Sequence, residues 1–271
     1  MKYIIYDKYN NAQSLLNSTK TLFSLLGLEI VKPNMELADC GGYWARLAQR
    51  DDLLHNVAYN LALSNAMGAT LVFLEEDAYA NALYARSIIE SDSDIIRELE
   101  SKYLHKFNLL YESKAQMSYL PDLLNTIDIA PMIKKHFHTF CAAIVRGAYQ
   151  GHLPISTNHR IYEQIGLKVI DTPLTKQYYA HLMPFDSQSA LYNSAKMFFD
   201  IADLGVDFIL TYSLSQFELL EGKRSKLCRA YNRDNIGLNV LFLPQVILLA
   251  FGEEERDKLG FAYHKQKVEL I

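Results

Sequence analysis

Chemistry in this chain would come from a few short groupings. An acidic turn, Glu75-Glu76-Asp77, follows a buried-looking apolar run, and a hydroxyl and amide turn, Ser213-Leu-Ser-Gln216, stands in the same setting farther on. Carboxylates at such a turn suit a cation or the positive end of a helix dipole. A serine or thiol there suits a nucleophile only when a base activates it. Cys141 with His138, or Ser213 with His181, supplies such a pair, but no spacing signals a third ordering group or an oxyanion site. His136 and His138 alternate with Phe137 and Phe140 along an expected strand and so share a face, which a strand lining a cleft explains without a metal. The plain reading of Glu75 to Asp77 is a solvated helix start.

Composition narrows the classes. A net charge of −4 over 271 residues gives no electrostatic reason to expect nucleic acid binding, which needs a concentrated basic surface. The basic residues Lys223, Arg224, Lys226, Arg229 and Arg233 fall toward the C-terminal end of an expected helix, where cations oppose the dipole. Cys40, Cys141 and Cys228 are far apart and odd in number, which is no disulfide framework and fits a reducing compartment. Cys228 reads as a small packed residue within a helix. Met1 leads directly into an expected strand with no secretory signal, and the apolar run Val240–Phe251 is too short to span a bilayer. Cytoplasm is the expected location.

The elements that must position these groups alternate between strand and helix. Strands are expected at 2–6, 28–31, 70–74, 136–140, 167–170, 206–210 and 238–240. Helices are expected near 10–26, 53–67, after 77, from Pro154 to 165, at 187–204, from about 214 to 231 and after Pro244. Charged, helical-looking sequence from Ser91 to Ile127 reads as a connecting helical hairpin. Gly68–Leu83 and Gly205–Leu220 echo each other at an offset of 137, and Leu26-Gly-Leu-Glu-Ile-Val31 echoes Ile165-Gly-Leu-Lys-Val-Ile170. Buried strands alternating with helices predict an α/β fold of two tandem Rossmann-like repeats with mostly parallel sheets, pseudo-two-fold related, over residues 1–130 and 131–271.

This layout resembles the CCG, or cysteine-rich, domain that occurs twice in the HdrB subunit of heterodisulfide reductase. Each family repeat carries a lone Cys, then Cys-Cys-Gly, then Cys-x-x-Cys. Here the lone position falls on Tyr9 and on Cys141. The triplet falls on Asp39-Cys40-Gly41 and on Tyr178-Tyr179-Ala180, and the final pair on Glu76 with Tyr79 and on Ser213 with Gln216. The intervals, 30 and 37 residues in the first repeat and 37 and 35 in the second, are similar to the family's. The ending, Leu243–Gly252 followed by Lys258-Leu-Gly260 and His264, also resembles HdrB.

The resemblance implies the fold and puts the family's iron–sulfur chemistry out of reach. Of ten ligand cysteines only Cys40 and Cys141 stand, one per repeat, and clusters are held chiefly by several thiolates. No cofactor is expected. If the fold is kept, Asp39, Cys40, Glu76 and Tyr79 gather at a first site, and Cys141, Tyr178, Tyr179, His181, Ser213 and Gln216 at a second. The first set offers a divalent metal two carboxylates, a thiol and a phenol, or else consists of solvated turn residues. The second set is filled by its own side chains, or forms a small-molecule pocket. Two functions stay open: a non-catalytic accessory protein docking to redox subunits or to a second copy of itself, and an enzyme or binding protein reusing the former cluster sites.

Overall fold

Val, Ile, Leu and Phe concentrate in a few short runs, and those of the central strands are buried while the strands Glu29–Ile30 and Lys168–Ile170 at the sheet edges are not. The computed structural model describes residues 1–153, 159–170 and 172–269. Two units emerge, one of Met1–Asn10 with Phe23–Leu123, the other of Asn11–Leu22 with Leu124–Ile271.

In the first unit β1 (Lys2–Ile5), β2 (Glu29–Ile30), β3 (Ala69–Phe73) and β4 (Met117–Tyr119) make a parallel sheet ordered β2-β1-β3-β4. Its helices are α2 (Ala45–Ala48), α3 (Arg50–Ala66), α4 (Glu76–Ile89) and α5 (Ser93–Lys102). The helix α1 (Gln13–Leu25) has its first ten residues in the second unit, and α6 (Leu120–Asn125) straddles the boundary.

The second unit repeats the strand order with β5 (Cys141–Val145), β6 (Lys168–Ile170), β7 (Phe208–Thr211) and β8 (Asn239–Phe242), as β6-β5-β7-β8, again all parallel. Helices α7 (His159–Ile165), α8 (Ser187–Ala202), α9 (Leu214–Phe217), α10 (Arg224–Tyr231) and α11 (Leu243–Ala250) complete it. Pro154, expected to precede α7, lies outside the described residues. Every residue of β7 and β8 is buried, as strands covered on both faces must be.

Local chemistry explains the shared plan. α1 and α7 both end at a glycine of positive φ, Gly27 at 68° and Gly166 at 73°. The next amide then bonds back five residues, Leu28 N to Phe23 O and Leu167 N to Tyr162 O, both at 2.9 Å. This closes the helix and launches β2 or β6. In each unit the helix cap follows the end of the central strand by two residues: Phe73 then Glu75, Thr211 then Ser213. The caps therefore correspond at a shift of 138, one more than the sequence echo suggests.

Two expected elements differ from what forms. The segment from Ser91 to Ile127 is not a helical hairpin: α5 stops at Lys102, and β4 pairs beside β3, Leu71 with Met117 and Phe73 with Tyr119. Three residues carry no periodicity of their own, and the neighbouring strand supplies the order. His136–Phe140 is not a strand either. It is a turn in which Phe140 N bonds Phe137 O, with the His136 and His138 rings stacked at 5.1 Å. The strand begins at Cys141, because the small residues Ala142 and Ala143 fit between β6 and β7.

Candidate functional site

Parallel α/β sheets hold ligands at the carboxyl ends of their strands, and both the acidic turn and the Ser213–Gln216 turn stand there. In the first unit the side chains close on one another. The Tyr9 hydroxyl accepts the Leu74 amide at 3.0 Å, and its ring meets Tyr6 edge-on at 4.8 Å. The Tyr6 hydroxyl accepts the Cys40 amide at 2.7 Å and donates toward Asp39 Oδ1 at 3.4 Å. Asp39 Oδ1 also accepts the Gly41 amide at 2.8 Å. Gly41 has φ 66°, and a Cβ there would lie 2.6 Å from the Ala45 Cβ, so only glycine fits.

Two fully buried asparagines hold this loop. Asn60 pairs with both backbone groups of Ala38 and donates to Cys40 Sγ at 3.4 Å. Asn81 donates toward the carbonyls of Cys40, Gly41 and Gly42 at 3.3, 3.4 and 3.1 Å. Burial pushes the Cys40 thiol up to about 12, so without a metal it is protonated at neutral pH.

The acidic turn is not solvated: Glu75, Glu76 and Asp77 are 6, 0 and 5% exposed. Glu75 caps α4, accepting the Ala78 and Asp77 amides at 2.6 and 3.2 Å. Burial, with Asp77 beside it, holds its carboxyl well above the carboxylate range. Burial, with Glu75 and Cys40 nearby, likewise raises the Tyr9 phenol. Tyr79 stands apart from the loop, stacked on Tyr119 at 5.2 Å. The structure thus joins Tyr9, Asp39 and Cys40 with Tyr6, Asn60, Asn81 and Glu75. Among the described residues, no three His, Cys, Asp or Glu side chains gather to hold a metal.

In the second unit Ser213 caps α9. A hydroxyl chain runs from Ser213 to Ser215 at 2.8 Å and on to Tyr178 at 2.9 Å. The Gln216 amide nitrogen donates to Gln177 O at 3.0 Å and Arg146 O at 3.4 Å. His181 stacks on Tyr178 at 5.5 Å, and the Tyr179 hydroxyl turns to Gln177 Oε1 at 3.2 Å. Ser213, Ser215 and Tyr178 are thus joined through their hydroxyls with His181 on the Tyr178 ring, while Tyr179 turns to Gln177.

Cys141 does not join them. It opens β5 beside Asp207, whose carboxylate accepts its amide at 2.7 Å, so six residues of strand and turn separate its level from Ser213. At strand rise that is roughly 20 Å. Tyr149 follows the last residue of β5, Val145, by four, as Tyr9 follows Ile5 at the end of β1.

Known proteins share parts of this arrangement. Residues 179–265 match the HdrB-like C-terminal domain, so over that span the chain is similar to the HdrB subunit of heterodisulfide reductase. The crystal structure of a hypothetical protein from Helicobacter pylori is 31% identical with a TM-score of 0.89, covering 100% of this chain and 53% of that one. The chain thus spans about half the length of that relative. An aspartate racemase homologue from Pyrococcus horikoshii is 10% identical with a TM-score of 0.33, over 93% of this chain and 99% of the other. No curated protein matches the sequence.

An iron–sulfur cluster of the HdrB kind does not fit these residues. At the first turn the one thiol is buried, and a carboxyl caps the helix. At the second, hydroxyls and an amide stand where thiolates would be needed, and Cys141 lies at the other end of its sheet.

Proposed function

We propose that this chain is a cluster-free, HdrB-like accessory protein that docks to a protein subunit of a redox assembly in the cytoplasm. The observation that carries this reading is the use made of the former ligand positions. Ser213 caps a helix, Tyr9 holds the Leu74 amide, and Cys40 is sealed beneath Asn60. Groups so engaged serve the fold rather than an electron carrier.

A surface for docking adjoins the first turn. Leu47 is 71% exposed and Trp44 37%, with the Tyr43 and Trp44 rings edge-to-face at 4.9 Å. Exposed aromatic and aliphatic anchors of this kind commonly centre protein interfaces. Trp44 is the one tryptophan of the chain, so its fluorescence reports directly on that face. Docking onto an isolated redox subunit that carries a cluster or a flavin should shift this emission, and Leu47→Glu should weaken binding at least tenfold while leaving the circular dichroism unchanged. Undiminished binding by Leu47→Glu, or association with a second copy only, would defeat the reading.

A small-molecule site at the second turn is the alternative. It is favoured by one feature: the Gln216 side-chain oxygen is buried with no hydrogen-bond partner among the described residues, while its nitrogen is fixed by two carbonyls. A metabolite that raises the melting temperature of the parent but not of Ser213→Ala would support it.

A further inference from the structure

After α11 the chain runs through residues 253–269 with no regular element beyond one 3-10 turn, Phe261–Tyr263. Leu259, Phe261 and Val268 are buried along it. Gly260, at φ 71°, lies so close to α1 that a Cβ would be 2.3 Å from Ser14 O. This strap is seated on polar groups with almost no solvent access. The His264 side chain is 1% exposed and Glu221 2%, and Gln245 is fully buried.

The Gln245 amide cannot turn over. Its oxygen accepts the Phe242 amide at 2.9 Å, and its nitrogen donates to Leu259 O and Ser14 Oγ, both at 2.9 Å. The same nitrogen lies 3.0 Å from His264 Nε2; having no lone pair to offer, it can only donate, so Nε2 accepts a share of an N–H it divides with Ser14 Oγ or Leu259 O. The neutral ring carries its proton on Nδ1, which faces Glu221 Oε1 at 3.9 Å, beyond hydrogen-bond length. Glu221 Oε1 is already taken by the Gln266 amide at 2.6 Å.

We infer that the 253–269 strap is an acid-released latch keyed by His264. A proton on Nε2 would set one donor against another, since Gln245 offers only N–H on that side. Charged groups act from each side. Glu221, 3.9 Å from Nδ1, favours the imidazolium, Arg224 and Lys265 favour the charged form of Glu221, and Arg256 of the strap opposes the imidazolium. The remaining neighbours, Phe217 and Phe261, are rings at 5.0 and 5.5 Å that solvate no charge.

Burial first, then Arg256, holds His264 down to about 4 against an ordinary 6.5. Because the folded value is the lower one, the seat is at full strength above 6.5 and weakens as pH falls from there toward 4. Detachment would uncover Phe217, Phe242 and Leu249.

Hydrogen exchange on the whole chain tests this. After correction for intrinsic rates, opening of 253–269 should rise roughly twenty-fold from pH 7 to pH 5, while the β7 and β8 amides change little. His264→Gln keeps an acceptor and cannot titrate, so its strap should stay seated at pH 5. Should that variant fail to fold, the imidazole resonance of the parent decides: titration near 4 is expected, and near 6.5 overturns the latch. Strap exchange that is independent of pH, matches the sheet, or loosens equally in His264→Gln would also overturn it.

Discussion

Asn81→Ala should destabilise the protein by about 2–4 kcal/mol and make Cys40 reactive toward a thiol reagent under native conditions. Asn81 is fully buried on α4. Its nitrogen is shared by the carbonyls of Cys40, Gly41 and Gly42, and its oxygen accepts Arg46 Nε at 2.9 Å. Alanine leaves those groups without their common partner, and the penalty at the buried Cys40 carbonyl dominates the loss. The loop would then depend on Asn60, Asn56 and the Tyr6 hydroxyl, and Cys40, 1% exposed in the native fold, would open to solvent. Denaturant titration measures the first effect and a timed thiol assay the second. A thiol as slow to react as in the parent would show that Asn81 does not hold this loop.

Arg224→Ala should cost more, about 3–5 kcal/mol. Its guanidinium, 2% exposed, donates to Leu220 O at 2.8 Å, Ile236 O at 3.1 Å and Leu238 O at 2.9 Å, and sits 4.0 Å from the Phe198 ring centroid. Truncation strands three carbonyls, empties a large buried volume and removes the charge nearest the buried Glu221. Burial lowers the guanidinium to about 10, with Cys228 and Glu221 nearby favouring its charged form. Denaturant titration should show the loss, with Arg229→Ala on the same helix as the control that changes little. Equal, small effects from the two would contradict the assignment.

Arg224 also shows where sequence reading stops. Five basic residues in a short stretch look alike as a string, yet Arg224 is a buried carbonyl clamp and Arg233 an exposed partner of Asp203 at 3.0 Å. Only the third dimension separates them. Elements with their own local chemistry were legible: the glycine caps at Gly27 and Gly166, and the apolar runs that became β3 and β7. β4 was not, since its order comes from β3, although Tyr119-Leu-Pro121 repeats Phe242-Leu-Pro244 at the same strand-to-helix junction. Three adjacent acids read as a solvated turn because burying them is costly, and here Glu75 offsets part of that cost by capping α4, with burial holding its carboxyl well above the carboxylate range. The cysteine anchor misled at Cys141, which opens β5 beside Asp207 instead of standing at the carboxyl end of its sheet.

The direct test of a cluster-free protein is the iron and acid-labile sulfide content of the full chain purified without oxygen, read together with its visible spectrum. Far less than one iron per chain, no thiolate-to-iron absorption and a melting temperature indifferent to chelators are expected. Stoichiometric iron, with colour and melting temperature both lost on chelation, would contradict the absorption of the ligand positions into helix caps and buried hydrogen bonds.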